Sequence, residues 1–154
     1  MEIEFLILAD SAQAVGGKLY MLGGGWSQYR ARAFPFRLVI GIALGLSVPW
    51  DETNQKRSIE LSIVDEDGQV IMQPVTTQVE LGRPPGLKPG SSQRVVIAAT
   101  VGLRLPKAGR YEVVGKVEGQ ELKRVYFDAV QVGPAPAPPP PKPPEPPPSQ
   151  GDPG

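Results

Sequence analysis

Four short segments carry the residues whose types and spacing could do chemistry. In LGGGW, Gly23, Gly24 and Gly25 could turn backbone amides toward a phosphate. That chemistry also needs a lysine and a helix N-terminus. Here Trp26 and Tyr29 follow, and Gly17-Lys18 leads into Leu19 rather than Ser or Thr. The run reads as a bend at a strand end. In DEDG, Asp65, Glu66 and Asp67 offer the clustered oxygens that hard cations take. The later Glu and spaced ligands of a calcium loop are missing, so a hairpin turn is the plainer reading. Asp51, Glu52 and Asn54 in WDETNQ form a second oxygen-rich group. A cation site would require the two loops to meet across the fold.

The other two segments suit binding better than catalysis. PWDETNQKR (49–57) sets Trp50 beside a run of mixed charge, and GRPPGLKPG (82–90) carries Arg83 and Lys88 on a backbone stiffened by Pro84, Pro85 and Pro89. Trp, Arg and rigid backbone are the ingredients of interface hot spots, and loops carry function more often than strands do. Trp50, Asp51, Asn54, Arg83, Pro84 and Pro85 are therefore the candidate interaction residues. The competing reading is that Trp50 packs over a sheet end and the prolines only fix a crossover connection. Trp26 has the same ambiguity.

What is missing narrows the chemistry further. The chain has no His and no Cys. A Ser-His-Asp triad, a thiolate nucleophile, a disulfide framework and His or Cys metal ligands are all excluded. Carboxylates, Lys, Tyr, Ser and Thr remain, and a glycosidase-like carboxylate pair is chemically open. No two acids stand out from turn and strand-edge roles, however. No catalytic residue, cofactor or metal is assigned.

The elements that must position these loops show period two. In FRLVIGIALGLSV the large residues Phe36, Leu38, Ile40, Ile42, Leu44, Leu46 and Val48 alternate with mostly small ones, which a strand separates cleanly and a helix would mix. Gly41 and Gly45 on the small face predict a bend, a bulge or the close approach of another segment; the run is long for one strand, which favours the bend. Ile59, Leu61 and Ile63 form another row, followed by the Asp67-Gly68 turn. Val75 to Leu81, Val95 to Leu105, Tyr111 to Val117 and ELKRVYFDAVQV follow. EIEFLILA and KLYMLGGGW are the first strands, with DSAQAV (10–15) between them as the single helical candidate. About eight strands result, predicting an all-β antiparallel sandwich, Ig-like or C2-like.

The 154 residues include 16 basic and 16 acidic side chains. Zero net charge argues against binding nucleic acid through phosphate neutralisation. Twelve of the 19 prolines fall within the last 21 residues, so the expectation is one domain over 1–133 and a disordered, polyproline II tail over 134–154. Glu2 and Glu4 stand where a secretory leader would carry positive charge, and the longest uncharged stretch, Leu38 to Trp50, has 13 residues, short of a membrane span. The expected compartment is the cytoplasm, with no membrane partner.

In ADSAQAVGGKLYMLGGGWS, VPWDETNQKRSIELSIVDEDG, VELGRPPG and LPKAGRYEV, the chain resembles a family of small, uncharacterised bacterial proteins, common in actinobacteria and classed as a domain of unknown function. The similarity runs from Glu2 to Val132 and leaves out the tail. It implies a bacterial source and a β-sandwich body, and supplies no site residues. The functional expectation is a non-catalytic, cytosolic interaction module with a protein partner. A carbohydrate- or divalent-cation-binding sandwich and a carboxylate-dependent hydrolase are the alternatives.

Overall fold

The computed structural model describes residues 1–133, and the expected proline-rich tail lies outside them. Ten strands follow one another: β1 (Glu2–Ala9), β2 (Ser11–Val15), β3 (Lys18–Leu22), β4 (Gln28–Ala31), β5 (Phe36–Val48), β6 (Lys56–Asp65), β7 (Val70–Glu80), β8 (Gln93–Leu105), β9 (Gly109–Val117) and β10 (Gln120–Gln131). Among the described residues no helix is long and apolar enough to cross a membrane.

The strands build a sandwich of two sheets plus a hairpin. One sheet has the order β1-β5-β8, the other β4-β10-β9-β6-β7, and β2 pairs with β3 alone. The alternating rows meet between the sheets. Leu38, Ile40, Ile42, Leu44 and Leu46 of β5 pack against Ile59, Leu61 and Ile63 of β6 and Tyr111 and Val113 of β9. Tyr111 and Phe127 stack with ring centres 5.6 Å apart, and Trp26 stands edge-on to Phe127 at 5.5 Å. Trp26 is thus a packing residue at the core's end.

Three expectations need correction. DSAQAV forms strand β2 rather than a helical turn. Gly16 (φ 58°) and Gly17 (φ 74°) make the two-residue turn that leads it into β3, a backbone that glycine adopts at little cost. Small residues in 10–15 weaken the alternation, but the Gly-Gly pair was a legible hairpin signal. Second, the pairing is not wholly antiparallel: β4 lies parallel to β10, Gln28 to Ala31 against Asp128 to Gln131. Third, β5 pairs with β8 in unbroken register from Phe36–Leu105 to Val48–Gln93, so its glycines mark no bend there. A Cβ at Gly41 would lie 2.5 Å from the Ala12 backbone nitrogen, and one at Gly45 would enter the Phe5 ring. These glycines let the β2–β3 hairpin and Phe5 close over the outer face of β5.

Tyr111 ties β9 to the turn before it. Its hydroxyl donates to the Lys107 carbonyl oxygen at 2.7 Å, the arrangement that anchors corners of many sandwich domains. Burial pushes its pKa above the ordinary tyrosine value, the main cause being desolvation of the phenolate. The neutral form is therefore the native one. Its contribution is complete below about pH 10 and is lost as pH rises through the higher folded value.

Gly41→Ala should lose about 1–3 kcal/mol in urea unfolding because its neighbour is backbone. Gly102→Ala, on the same face with nothing within 4 Å, should be neutral or gain up to about 1 kcal/mol. Equal losses at both positions would refute the close-approach account. Tyr111→Phe should cost about 1 kcal/mol near neutral pH and flatten the fall in stability above pH 10, measured by denaturation across the alkaline range.

Candidate interaction site

The residues singled out in 49–57 and 82–90 come together at one end of the sandwich. After β5, Pro49 leads into a single 3-10 turn, Trp50–Glu52. Thr53 Oγ1 donates to the Trp50 carbonyl oxygen at 2.7 Å and accepts from Arg83 Nε at 2.6 Å. Arg83 Nη2 donates to the same Trp50 oxygen at 3.0 Å, and its guanidinium carbon lies 4.4 Å from the Trp50 ring centre. Asn54, at φ 59°, donates its backbone N–H to the Leu81 oxygen at 2.7 Å. Arg83 thus latches one loop to the other through its fork of donors and its flat face. Asp51, Asn54, Pro84 and Pro85 are exposed around the latch, and Trp50 is half-buried. Asp51, Pro84 and Pro85 join the surface without entering the latch. Thr53, buried at its centre, escaped the sequence reading; a Thr three residues after Trp50 is the spacing of a side-chain turn bond.

The same end carries an open seam. β7 and β8 are edge strands of opposite sheets, linked by 81–92, the segment that holds Arg83. Val101, Leu103 and Leu105 in the second half of β8 are buried, while Val95, Ile97 and Ala99 in its first half face the same core and stay partly exposed. A crevice of about 160 Å³ lies between the edges, lined by Ile59, Leu61, Val75, Thr77, Ile97 and Ala99. Pro74 sits within β7, a residue that edge strands accept because one side of the strand needs no donor.

The oxygen-rich loops do not meet. Asp51 precedes β6 and Asp65 ends it, so the ten-residue strand separates them by about 30 Å. Asp65 Oδ1 accepts the Asp67 and Gln69 N–H groups at 3.0 and 2.8 Å, which makes it the clasp of its own turn. Glu66 and Asp67 pair with Lys107 at 3.6 and 3.4 Å. Among the described residues no group of three or more acids could hold a metal ion. In the glycine run, the Gly25 N–H donates to the Leu8 oxygen at 2.8 Å and β4 follows, so the run is a turn with no helix behind it.

A hollow of about 740 Å³ is lined in part by Glu66 and Asp128. Asp128 is held by Arg110 at 2.9 and 3.2 Å, and that bond lowers its pKa below the usual carboxylate range. A general acid needs the opposite shift.

The fold and these loops define an all-β sandwich with a latched loop platform at one end. Residues 4–130 match the family of unknown function DUF6941, and the chain belongs to that family. No curated protein matches the sequence. Among solved structures, a glycosyl hydrolase family 2 member from Bacteroides cellulosilyticus is similar over 61% of this chain and 13% of its own, at 13% identity and a TM-score of 0.43. The alkylpurine DNA glycosylase of Pseudomonas fluorescens, bound to DNA containing an abasic site analog, is similar over 67% of this chain and 27% of its own, at 18% identity and a TM-score of 0.32. The chain thus spans a small part of either protein, and likeness at this level speaks to neither substrate nor mechanism.

Arg83→Ala should open the latch. The expected cost is about 1–2 kcal/mol from the stacked, charge-assisted contacts. Hydrogen exchange at the Thr53 and Asn54 amides should accelerate while β6 stays protected. Unchanged exchange at both amides would show that the loops hold without Arg83.

Proposed function

We propose that this protein is a non-catalytic interaction module whose partner is a protein, engaged along the β7–β8 seam beneath the Trp50–Arg83 latch. One observation carries the reading: core-facing Val95, Ile97 and Ala99 stay partly exposed beside the crevice between β7 and β8, each an edge strand of its sheet among the described residues. An unpaired edge presents N–H and C=O groups to an incoming extended segment, and the apolar row beneath offers sites for every second side chain. The latch at the head of the seam supplies a rigid Trp and Arg for contacts beyond the strand. In the hollow that Asp128 and Glu66 share, Arg110 pairs with Asp128 and Lys107 with Glu66, which favours this reading over a carboxylate-dependent hydrolase. The same reading sets the protein in the bacterial cytosol, where a chain without cysteine forgoes no disulfide.

Panning a random peptide library on the folded protein tests the seam. Enriched peptides should alternate apolar residues, perturb amide resonances of β7 and β8, and lose at least about tenfold in affinity against Val75→Glu and Thr77→Arg. Both changes fall on exposed positions, so folding should survive. Peptides that map elsewhere, or that ignore both substitutions, would refute the seam.

A further inference from the structure

The far end of the sandwich holds an arrangement that the interaction reading does not use. Among the described residues, five cross-strand partnerships set one charged side chain directly opposite another. Four match opposite signs: Lys56 with Glu80, Glu60 with Lys116, Lys116 with Glu121, and Arg110 with Asp128. The fifth sets Arg37 of β5 against Arg104 of β8. Like charges directly opposite destabilise a sheet. Neither guanidinium has a carboxylate partner among the described residues, which they share with Arg30, Arg32 and Arg83, whereas Arg57, Arg94, Arg110 and Arg124 are paired.

The next outward-facing pair sharpens the point. Val39 lies opposite Gly102, and Val39 is 63% exposed. A Cβ built at Gly102 meets nothing within 4 Å, so no close packing demands a glycine there. Its backbone lies outside the left-handed region as well. Glycine in a strand interior weakens the strand, and it often marks close approach by a ligand. Arg37, Val39, Gly102 and Arg104 line a shallow hollow of about 400 Å³. Asp65 lies in the neighbouring hollow beside Arg104, but its Oδ1 is committed to its own turn.

We propose that Arg37 and Arg104 form a binding site for a phosphate monoester, with the phosphoryl group between the two guanidiniums and its organic part across Val39 and Gly102. Two fixed positive charges match a dianion, and the planar forks suit phosphate oxygens in pairs. A carboxylate would leave one positive charge uncompensated. The ester's second ionisation falls near pH 6, so affinity should drop as pH falls below that value.

Phenyl phosphate is the probe, with benzoate and sodium chloride at matched ionic strength as comparisons. Calorimetry and thermal melting of the full chain should show saturable binding of phenyl phosphate, weaker at pH 5 than at pH 7.5, with benzoate at least about tenfold weaker. Arg37→Gln and Arg104→Gln should each reduce affinity by about tenfold or more while melting no lower than wild type at low salt. Gly102→Val fills the hollow and favours the strand, so it should melt at or above wild type and still lose binding. That variant separates a ligand site from a fold defect. A phosphotyrosine peptide in a parallel arm names the source: tighter binding than phenyl phosphate indicates a modified protein, and equal or weaker binding a small ester. Absence of saturable binding overturns the proposal. So does benzoate binding as tightly as phenyl phosphate, or unchanged affinity in either arginine variant or in Gly102→Val.

Discussion

The burial of β5 on both faces is the constraint on which the rest of this fold depends. A strand in a two-layer sandwich normally shows one face to water and need only alternate. Here the large residues of β5 fill the core, while Gly41, Ala43 and Gly45 on the reverse are buried as well. Only glycine at 41 admits the hairpin backbone, and only glycine at 45 leaves room for the Phe5 ring. β5 pairs with β8 along its whole length and with β1 from Gly41 to Ser47, so that sheet and the hairpin layer share one narrow strand. The second sheet then packs against its apolar row.

This arrangement leaves the two ends of the molecule chemically different. At the end near Trp50, the chain crosses from one sheet to the other through 81–92, and the latch holds that crossing against the loop after β5. The sandwich remains open just below, where β7 and β8 are edges of different sheets. At the opposite end β5 begins with Phe36, and Arg37 and Arg104 stand on the outer face, beyond the reach of the β2–β3 hairpin that covers Gly41. Asp51, Pro84 and Pro85 at one end and Arg37 and Arg104 at the other lie outside the buried rows of the core. Surface chemistry at either place can therefore vary with little cost to the fold.

Much of the fold was legible because half-buried strands write their burial into alternate residues. The rows in β5, β6, β8 and β9 could be read from one face of each strand, and Glu118-Gly119, with φ of 51° and 78°, announced its hairpin. β2 was not legible as a strand by alternation alone, since Ala12 is its one buried residue. The parallel β4–β10 pair joins segments far apart in the chain, and nothing local in QYRA marks its direction. The candidate site divides the same way. Trp50 and Arg83 stood out by residue type, but their contact requires the β7–β8 crossing to bring two distant loops together. Thr53 was hidden because a threonine in a polar loop carries no signal until its hydroxyl has partners. Arg37 and Arg104 were invisible as a pair, because their opposition is a property of register.

Register also changes what those arginines mean. On separate surface strands, an unpaired arginine needs no explanation, since exposed ion pairs add little stability. Placed directly opposite each other, two guanidiniums add repulsion to their sheet, whereas the four charged cross-strand partnerships of the facing sheet are matched in sign. A glycine beside them forgoes strand stability that a side chain could have provided in open space. These two departures from strand economy fall in one hollow, and neither is required by a neighbouring backbone or a turn. Gly41 and Gly45 have packing reasons for their residue type. Gly102 has none within the domain, so its reason is sought in what the hollow receives.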